Sequence, residues 1–446
     1  MGYDAAMSNE QRARIVALDK ERVWRPYTEM SRYRSEVDPI VVVEAKGSRL
    51  IDADGRSYID ANASWWAVAL GHSHPRLVAA LQRQAERLDH AALASITHPG
   101  AAELAGAVCA VAPEGLDHVF FGDNGSTAVE IAMKLALQYW AQNGRPERRR
   151  FVALEEAFHG ETLGVTALGG VDVFRRPFAG VLLECLHVPP PREPADADRA
   201  FASLSRTIVE NADTLAAVVF EPVVQGAAGM KFYDPAFLRA AREVCDQHDV
   251  FLVFDEVFTG YGRTGPMWAG EHAGVSPDIL CTAKGFIGGM LPMSATLATT
   301  RIFDGFLGDS ERAFYYGHTF CGNPLGAAIA LEVLSVYEDE KILARARPKA
   351  DRIAAAFAAM GDLPSVSNAR ALGMIGALDL AGDAGYLADA GWRVFDEARE
   401  RGAYLRPLGN VVYIAPPLNI SDADLEELLG IVRESVEAAT QGSRAR

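Results

Sequence analysis

The chain has little that suits a membrane, an oxidising compartment or a nucleic acid. Cysteine is scarce: five residues, at 109, 185, 245, 281 and 321, with no C-x-x-C pair. That excludes a disulfide framework and a cysteine-based zinc site, and it predicts a reducing cytoplasm. No apolar run approaches the ~18 residues of a membrane span. The opening stretch MGYDAAMSNEQRARIVALDKERVWRPY lacks the apolar core of a secretory leader, so none is expected. Positive charge is in deficit, with 43 basic against 59 acidic residues and a net charge of −16. Such a surface repels phosphate backbones and anionic lipid, so neither nucleic acid nor membrane is expected as a partner. No G-K-[ST] ending completes a P-loop, and no internal repeat is present.

What remains is an ordinary globular composition, 49% hydrophobic and 23% charged. Its 446 residues predict two or three packing units around one large core. A polar helix is expected over 10–22. Apolar runs at 40–45 and 48–53, punctuated by Gly47 and Asp54-Gly55, predict a small antiparallel meander. Amphipathic helices follow at 75–88 and 99–111. From 118 the pattern alternates: strands at 118–121, 151–154, 181–188, 215–220, 250–254 and 278–281, with helices at 126–142 and from Asp234-Pro235 to 248. Several strands are apolar throughout, as expected where helices cover both faces of a parallel sheet. PPPREPADADRA at 189–200 reads as a surface loop. Beyond 323 helices dominate (323–338, 342–360, 386–401, 421–438), with short strands near 372–379 and 411–415. The class is α/β.

Chemistry concentrates at three strand ends. VFLVFDEVFTGYGRTG, 250–265, runs from a buried strand into Asp255 and Glu256. DILCTAKGFIGG, 278–289, runs from a strand into Lys284 and glycines. In open α/β sheets ligands bind beyond the carboxyl ends of the strands. Alone, the acid reads equally as a solvated turn residue and the lysine as surface. Together they match a cofactor that needs one amine for covalent attachment and one carboxylate for a protonated pyridine nitrogen. FFGDNGSTAVEIAMK, 120–134, is a strand, a Gly-containing turn and a helix start. Free N–H groups there suit a phosphate, held by Gly125, Ser126 and Thr127, although a plain capped turn reads the same way. Gly260–Gly265 fits G-x-G-x-x-G but lies too far past its strand, with Pro266 behind it, for a dinucleotide fingerprint. His72 and His74 form an H-x-H with no cysteine or acid cluster nearby, which reads as a turn before Pro75, and no metal is expected.

As a set, EPVVQG (221–226), DEVFTGYGRTG (255–265), the Lys284 segment and GHTFCGNPL (317–325) resemble the class III aminotransferases of PLP fold type I. The resemblance runs from Val23 to Thr440. It implies a large domain over 61–330, with a mostly parallel sheet flanked by helices. It also implies a smaller α+β domain built from both termini, 1–60 and 331–446. The implied cofactor is pyridoxal 5′-phosphate (PLP). Lys284 matches the attachment lysine, Asp255 the pyridine partner, Gly125 and Ser126 the phosphate pair, and Phe158 and Val257 the residues on the two ring faces. His318 and Thr319 match a pair that reaches the phosphate in the neighbouring subunit, implying a homodimer with shared active sites. Within the class, VWRPYTEM (23–30), ANASWWAVALGHSHP (61–75) and LRPLGNVVYIAPPL (405–418) resemble one branch in particular. That branch converts 8-amino-7-oxononanoate to 7,8-diaminononanoate in biotin biosynthesis. Its donor is S-adenosylmethionine, or lysine in some members. Tyr27, Trp65, Trp66, Gly317, Arg406 and Tyr413 match its substrate contacts. Two positions depart from the pattern: Phe158 stands where a tyrosine is common, and His318 where proline is common. Lacking the tyrosine hydroxyl near the amino-donor site leaves the donor open. The alternatives are another class III ω-aminotransferase, acting on diamines or ω-amino acids with pyruvate or a keto acid, and a PLP aminomutase or racemase.

Overall fold

A computed structural model describes residues 7–382 and 385–441. The polar opening helix is Asn9–Arg22, capped by Ser8, whose side chain accepts from the Gln11 N–H. The meander follows as β1 (Val42–Lys46), β2 (Arg49–Asp52) and β3 (Ser57–Asp60), paired antiparallel. Next come β4 (His118–Gly122), β5 (Arg150–Leu154), β6 (Cys185–Val188) and β7 (Leu215–Phe220). A short ribbon, β8 (Val224–Gln225) with β9 (Lys231–Phe232), leaves the end of β7. Then β10 (Phe251–Asp255), β11 (Ile279–Thr282) and β12 (Ser294–Ala298) complete a seven-stranded sheet of order β4-β12-β11-β10-β7-β5-β6.

Every neighbouring pair from β11 through β6 is parallel. β12 alone runs against its neighbours β11 and β4. The fold is therefore α/β with a mostly parallel central sheet, as expected. Both faces are covered, which is why β7 and β10 are buried at every position and carry almost nothing polar until Asp255. The parallel register Asp255↔Cys281 brings the ends of β10 and β11 to one edge of the sheet, and Lys284 follows directly.

The C-terminal part adds helices Pro324–Asp339 and Ile342–Met360, strands β13 (Val366–Leu372) and β14 (Ile375–Leu380), helix Ala390–Glu400, β15 (Ala403–Tyr404), β16 (Val411–Ile414) and helix Asp422–Gln441. β15 pairs parallel with β3, so the two ends of the chain share a four-stranded sheet.

Four expectations need correction. The strand read over 181–188 starts only at Cys185. Residues Arg176–Val181 instead form a 3-10 turn around Pro177, and Val181 is 69% exposed, so this apolar stretch has no sheet face to fill. The Pro-rich loop ends early: Ala197–Asn211 is a helix that buries Ala200, Leu204 and Ile208, one turn apart. The single strand near 372–379 is a hairpin, β13 with β14. β12, written Ser-Ala-Thr-Leu-Ala, was not expected at all: its small residues carry little strand signal, yet all five are buried between two neighbours. All five cysteines are free thiols. No helix among the described residues is long and apolar enough to cross a membrane.

Candidate active site

The edge formed by β7, β10 and β11 opens into a cavity of about 430 Å³. Asp255, the last residue of β10, lies in its wall and is 5% exposed. One carboxylate oxygen, Oδ2, lies 2.7 Å from His159 Nδ1, and the other accepts the Val257 N–H at 3.1 Å. His159 is buried. Desolvation draws its pKa down, but the hydrogen bond and charge of Asp255, with the charge of Glu221, outweigh it and the net shift is upward. Glu221, just past β7, accepts N–H groups from Phe158 and Gly226, each at 3.0 Å. Desolvation pushes the Glu221 carboxyl up to about 7, against His159 and with Asp255.

Lys284 follows β11 in a left-handed conformation, φ 49°, and opens a 3-10 turn. Among the described residues it forms no ion pair, and its Nζ lies 5.3 Å over the Trp66 ring. Desolvation lowers its pKa, against the opposing charges of Asp255 and Glu221. A lowered pKa favours the neutral amine, the form that can act as nucleophile and base.

The phosphate-sized end is the start of helix Gly125–Gln142. Asn124 caps it by accepting the Thr127 N–H at 3.1 Å. Gly125 and Ser126 come before any intrahelical bond can form, so their N–H groups are free for an anion at the positive end of the helix dipole. A Cβ on Gly125 would sit 2.7 Å from a Val257 methyl, so only glycine lets this turn close on that wall. Gly160, at φ 125°, has Ser126 Oγ where its Cβ would be. The same Oγ accepts the Glu161 N–H at 3.1 Å, seating the loop 158–161 on the helix start.

Aromatic rings form the remaining walls. Trp66 lies 4.4 Å from Phe258, centroid to centroid, and donates from Nε1 to the Tyr413 hydroxyl at 3.1 Å. Tyr27 meets Trp65 and Phe174 edge-on and donates to Glu161 Oε1 at 2.6 Å. Phe158 also meets Phe174 edge-on. Both tryptophans sit on a left-handed turn in which Ala63, Ser64, Trp65 and Trp66 all have positive φ, with no glycine among them. L-residues there are strained by about 1–2 kcal/mol each. The strain is held by Ser64 Oγ donating to Asp60 at 2.7 Å and by the Trp66 N–H donating to the Asn62 carbonyl at 2.8 Å. Arg406 lies 5.1 Å over the Trp65 ring and, among the described residues, pairs with no carboxylate.

Tyr27, Trp65, Trp66, Gly125, Ser126, Phe158, Asp255, Val257, Lys284, Arg406 and Tyr413 thus line one cavity. Gly317, His318 and Thr319 do not. His318 Nδ1 lies 2.9 Å from Asp123, and Gly317 and Thr319 are exposed. His159, Glu161 and Glu221 are site residues that the motifs do not single out, although His159 and Glu161 follow Phe158 closely and Glu221 opens EPVVQG. His72 and His74 face different acids, Asp60 and Glu340. A larger cleft of about 650 Å³ adjoins the site but holds neither Lys284 nor Asp255. Five of its charged residues pair with one another, Glu156 with Arg192 and Lys231, and Arg370 with Asp379.

The donor set fits PLP. The buried acid with its own imidazole suits a protonated pyridine, the desolvated amine suits covalent attachment, and the free helix N–H groups suit a phosphate. The family model for "Aminotransferase class-III" matches residues 31–436. A Geobacter sulfurreducens protein named adenosylmethionine-8-amino-7-oxononanoate aminotransferase is 38% identical over 95% of this chain and 97% of its own length. A Nitratidesulfovibrio vulgaris protein of the same name is 41% identical over 96% of this chain and 82% of its own. Among solved structures, the Methanocaldococcus jannaschii protein of that name superposes with a TM-score of 0.92 at 32% identity, covering 96% of this chain and 100% of that one. The omega transaminase of Pseudomonas jessenii in complex with PMP gives 0.91 at 28% identity, over 96% and 98%. The chain belongs to the class III aminotransferases, and its cofactor is pyridoxal 5′-phosphate.

Proposed function

We propose that this aminotransferase converts 8-amino-7-oxononanoate to 7,8-diaminononanoate in biotin biosynthesis, taking the amino group from S-adenosylmethionine or lysine. The observation that carries the reading is Arg406: a guanidinium that, among the described residues, has no carboxylate partner, in the same aromatic cavity as Lys284 and Asp255. The acceptor is a long methylene chain ending in a carboxylate. Trp65, Trp66 and Tyr413 offer the chain an apolar wall, at about 0.8 kcal/mol per buried CH₂. Arg406 offers the carboxylate a bidentate fork that lysine lacks. The names of the full-length relatives support the same reading.

Bound here, PLP supplies an aldehyde that carries the amino group and a pyridinium that acidifies the neighbouring C–H. Lys284 holds the cofactor at rest. Freed of it, Nζ would be placed to move a proton at the donor Cα, acting as base and then acid. Asp255 holds the pyridine nitrogen protonated. The N–H groups of Gly125 and Ser126 hold the phosphate, and Phe158 and Val257 confine the ring. Tyr27 orients substrate at the mouth through its contacts with Glu161 and Trp65.

Gly317, His318 and Thr319 serve the site of a second subunit in this reading, and the enzyme is a homodimer. Exposed apolar side chains favour it: Trp24 is 90% exposed, Tyr315 78%, and Ile96 and Phe320 more than half. The division into 1–60 with 331–446 and 61–330 belongs to the same proposal, as does a cytoplasmic location, consistent with the free thiols.

The test is product formation by PLP-loaded enzyme with 8-amino-7-oxononanoate and either S-adenosylmethionine or lysine, followed by mass spectrometry. Diaminononanoate with one of the two donors is the expected result. Transfer to pyruvate but not to 8-amino-7-oxononanoate replaces this reading with an ω-amine aminotransferase.

A further inference from the structure

Asn62 stands between the end of β3 and the left-handed turn, is fully buried and lies outside the cavity wall. Its side chain is used at both ends. Oδ1 accepts the backbone N–H of Arg406 at 2.7 Å, and Nδ2 donates to the backbone carbonyl of Tyr413 at 3.1 Å. Its own carbonyl accepts the Trp66 N–H at 2.8 Å. Three separate pieces of the cavity therefore hang on one residue: the tryptophan turn, the segment carrying Arg406, and β16 with Tyr413. A buried amide with both ends satisfied has a single orientation, and it transmits that orientation to what it binds. The neighbours reinforce the join: the Ala61 N–H donates to the Tyr404 carbonyl and the Ala415 N–H to the Ala61 carbonyl. Those contacts are backbone only and survive any side-chain change at 62, whereas among the described residues the Arg406 N–H has only its bond with Asn62.

We infer that Asn62 is a positioning residue for substrate-carboxylate recognition, setting the guanidinium of Arg406 against the wall made by Trp65, Trp66 and Tyr413. It touches neither substrate nor cofactor and acts through Arg406. The inference rests on the proposed role of Arg406 as the carboxylate anchor.

The test is a double-mutant cycle on the PLP-loaded enzyme, using Asn62→Ala, Arg406→Ala and the pair, with KM and kcat for 8-amino-7-oxononanoate. Asn62→Ala is expected to raise the acceptor KM about tenfold, the scale of one lost buried hydrogen bond and a displaced anchor. The expected kcat stays within about twofold and the absorbance of the bound cofactor is unchanged, because Lys284 and Asp255 are untouched. In the Arg406→Ala background the same change is expected to move KM by less than about twofold, because the group it positions is gone. An equal effect in both backgrounds, or no effect of Asn62→Ala alone, overturns the role of Asn62. A failure of Arg406→Ala itself to raise KM instead overturns the anchor reading on which it rests. Should the alanine variant not fold, Asn62→Asp keeps the size and an oxygen for the Arg406 N–H while losing the donor to Tyr413. With Arg406 intact, it is expected to raise KM less than Asn62→Leu, which leaves no acceptor at 62; equal losses in the two variants contradict the inference.

Discussion

At the residue scale, the site is a buried carboxyl group, Asp255, joined to an imidazole, with a second buried carboxyl group, Glu221, acting on both through its charge. His159 lies 2.7 Å from Asp255, whose hydrogen bond and charge raise the imidazole pKa in spite of full burial. Removing the ring leaves Asp255 buried with only the Val257 N–H. The penalty for such an orphaned acceptor is about 1–3 kcal/mol. It falls where the cofactor's pyridine nitrogen must be met. His159→Ala is therefore expected to weaken PLP binding by about tenfold or more, read by absorbance titration of the apoenzyme. Wild-type affinity in that variant removes His159 from the site. Asp255 and Lys284 were both legible in the amino-acid sequence, because an acid or a lysine directly after a wholly apolar strand has few places to go. His159 and Glu221 were not singled out. Their role depends on β5, β7 and β10 converging in space, and no local spacing encodes that.

At the element scale, Glu256 ties the end of β10 to the 3-10 turn Ala269–His272. It takes the Thr259 hydroxyl at 2.5 Å and the Gly270 N–H at 2.9 Å. Desolvation pushes its carboxyl up to about 7, with Asp255 adding and the hydrogen bonds opposing. An acid whose pKa rises on folding stabilises the fold fully below its unfolded value, near 4.5, and that contribution fades as pH climbs through 7. The shift corresponds to about 3 kcal/mol. Glu256→Gln keeps the shape, an acceptor for Gly270 and a partner for the Thr259 hydroxyl, and cannot ionise. Its Tm should fall less between pH 5 and pH 8 than that of the wild type, and exceed it at pH 8. A variant less stable than wild type at pH 8 contradicts the account. Most of the long helices and the all-apolar strands were readable from periodicity, helix Ala197–Asn211 being the exception. The left-handed turn Ala63–Trp66 was not, because nothing in Ala-Ser-Trp-Trp favours positive φ. It is held by Asp60, Asn62 and residues near 406–413, more than three hundred positions away in the chain. β12 escaped for a related reason: its strand character comes from the two neighbours it fills between, not from its own small residues.

At the scale of the whole molecule, one parallel sheet does the arranging. Ending β7, β10 and β11 at the same edge collects Glu221, Asp255 and Lys284, while the joined termini bring Arg406 and Tyr413 over them. What the single chain leaves aside is the segment 317–319. If it completes a neighbour's site, chains carrying Lys284→Ala and chains carrying Thr319→Ala, each inactive alone, should regain activity when refolded together, because one of the two sites in the hybrid contains neither lesion. No recovery in a verified hybrid would falsify the shared site. The central claim is that the fold singles out one lysine, at the end of β11, to hold the cofactor beside Asp255. Borohydride reduction of the PLP-loaded enzyme, followed by peptide mass mapping, tests it most directly. The account predicts a pyridoxyl adduct on the peptide containing Lys284 and its loss in the Lys284→Ala variant; an adduct on a different lysine, or none on a protein that binds the cofactor, contradicts it.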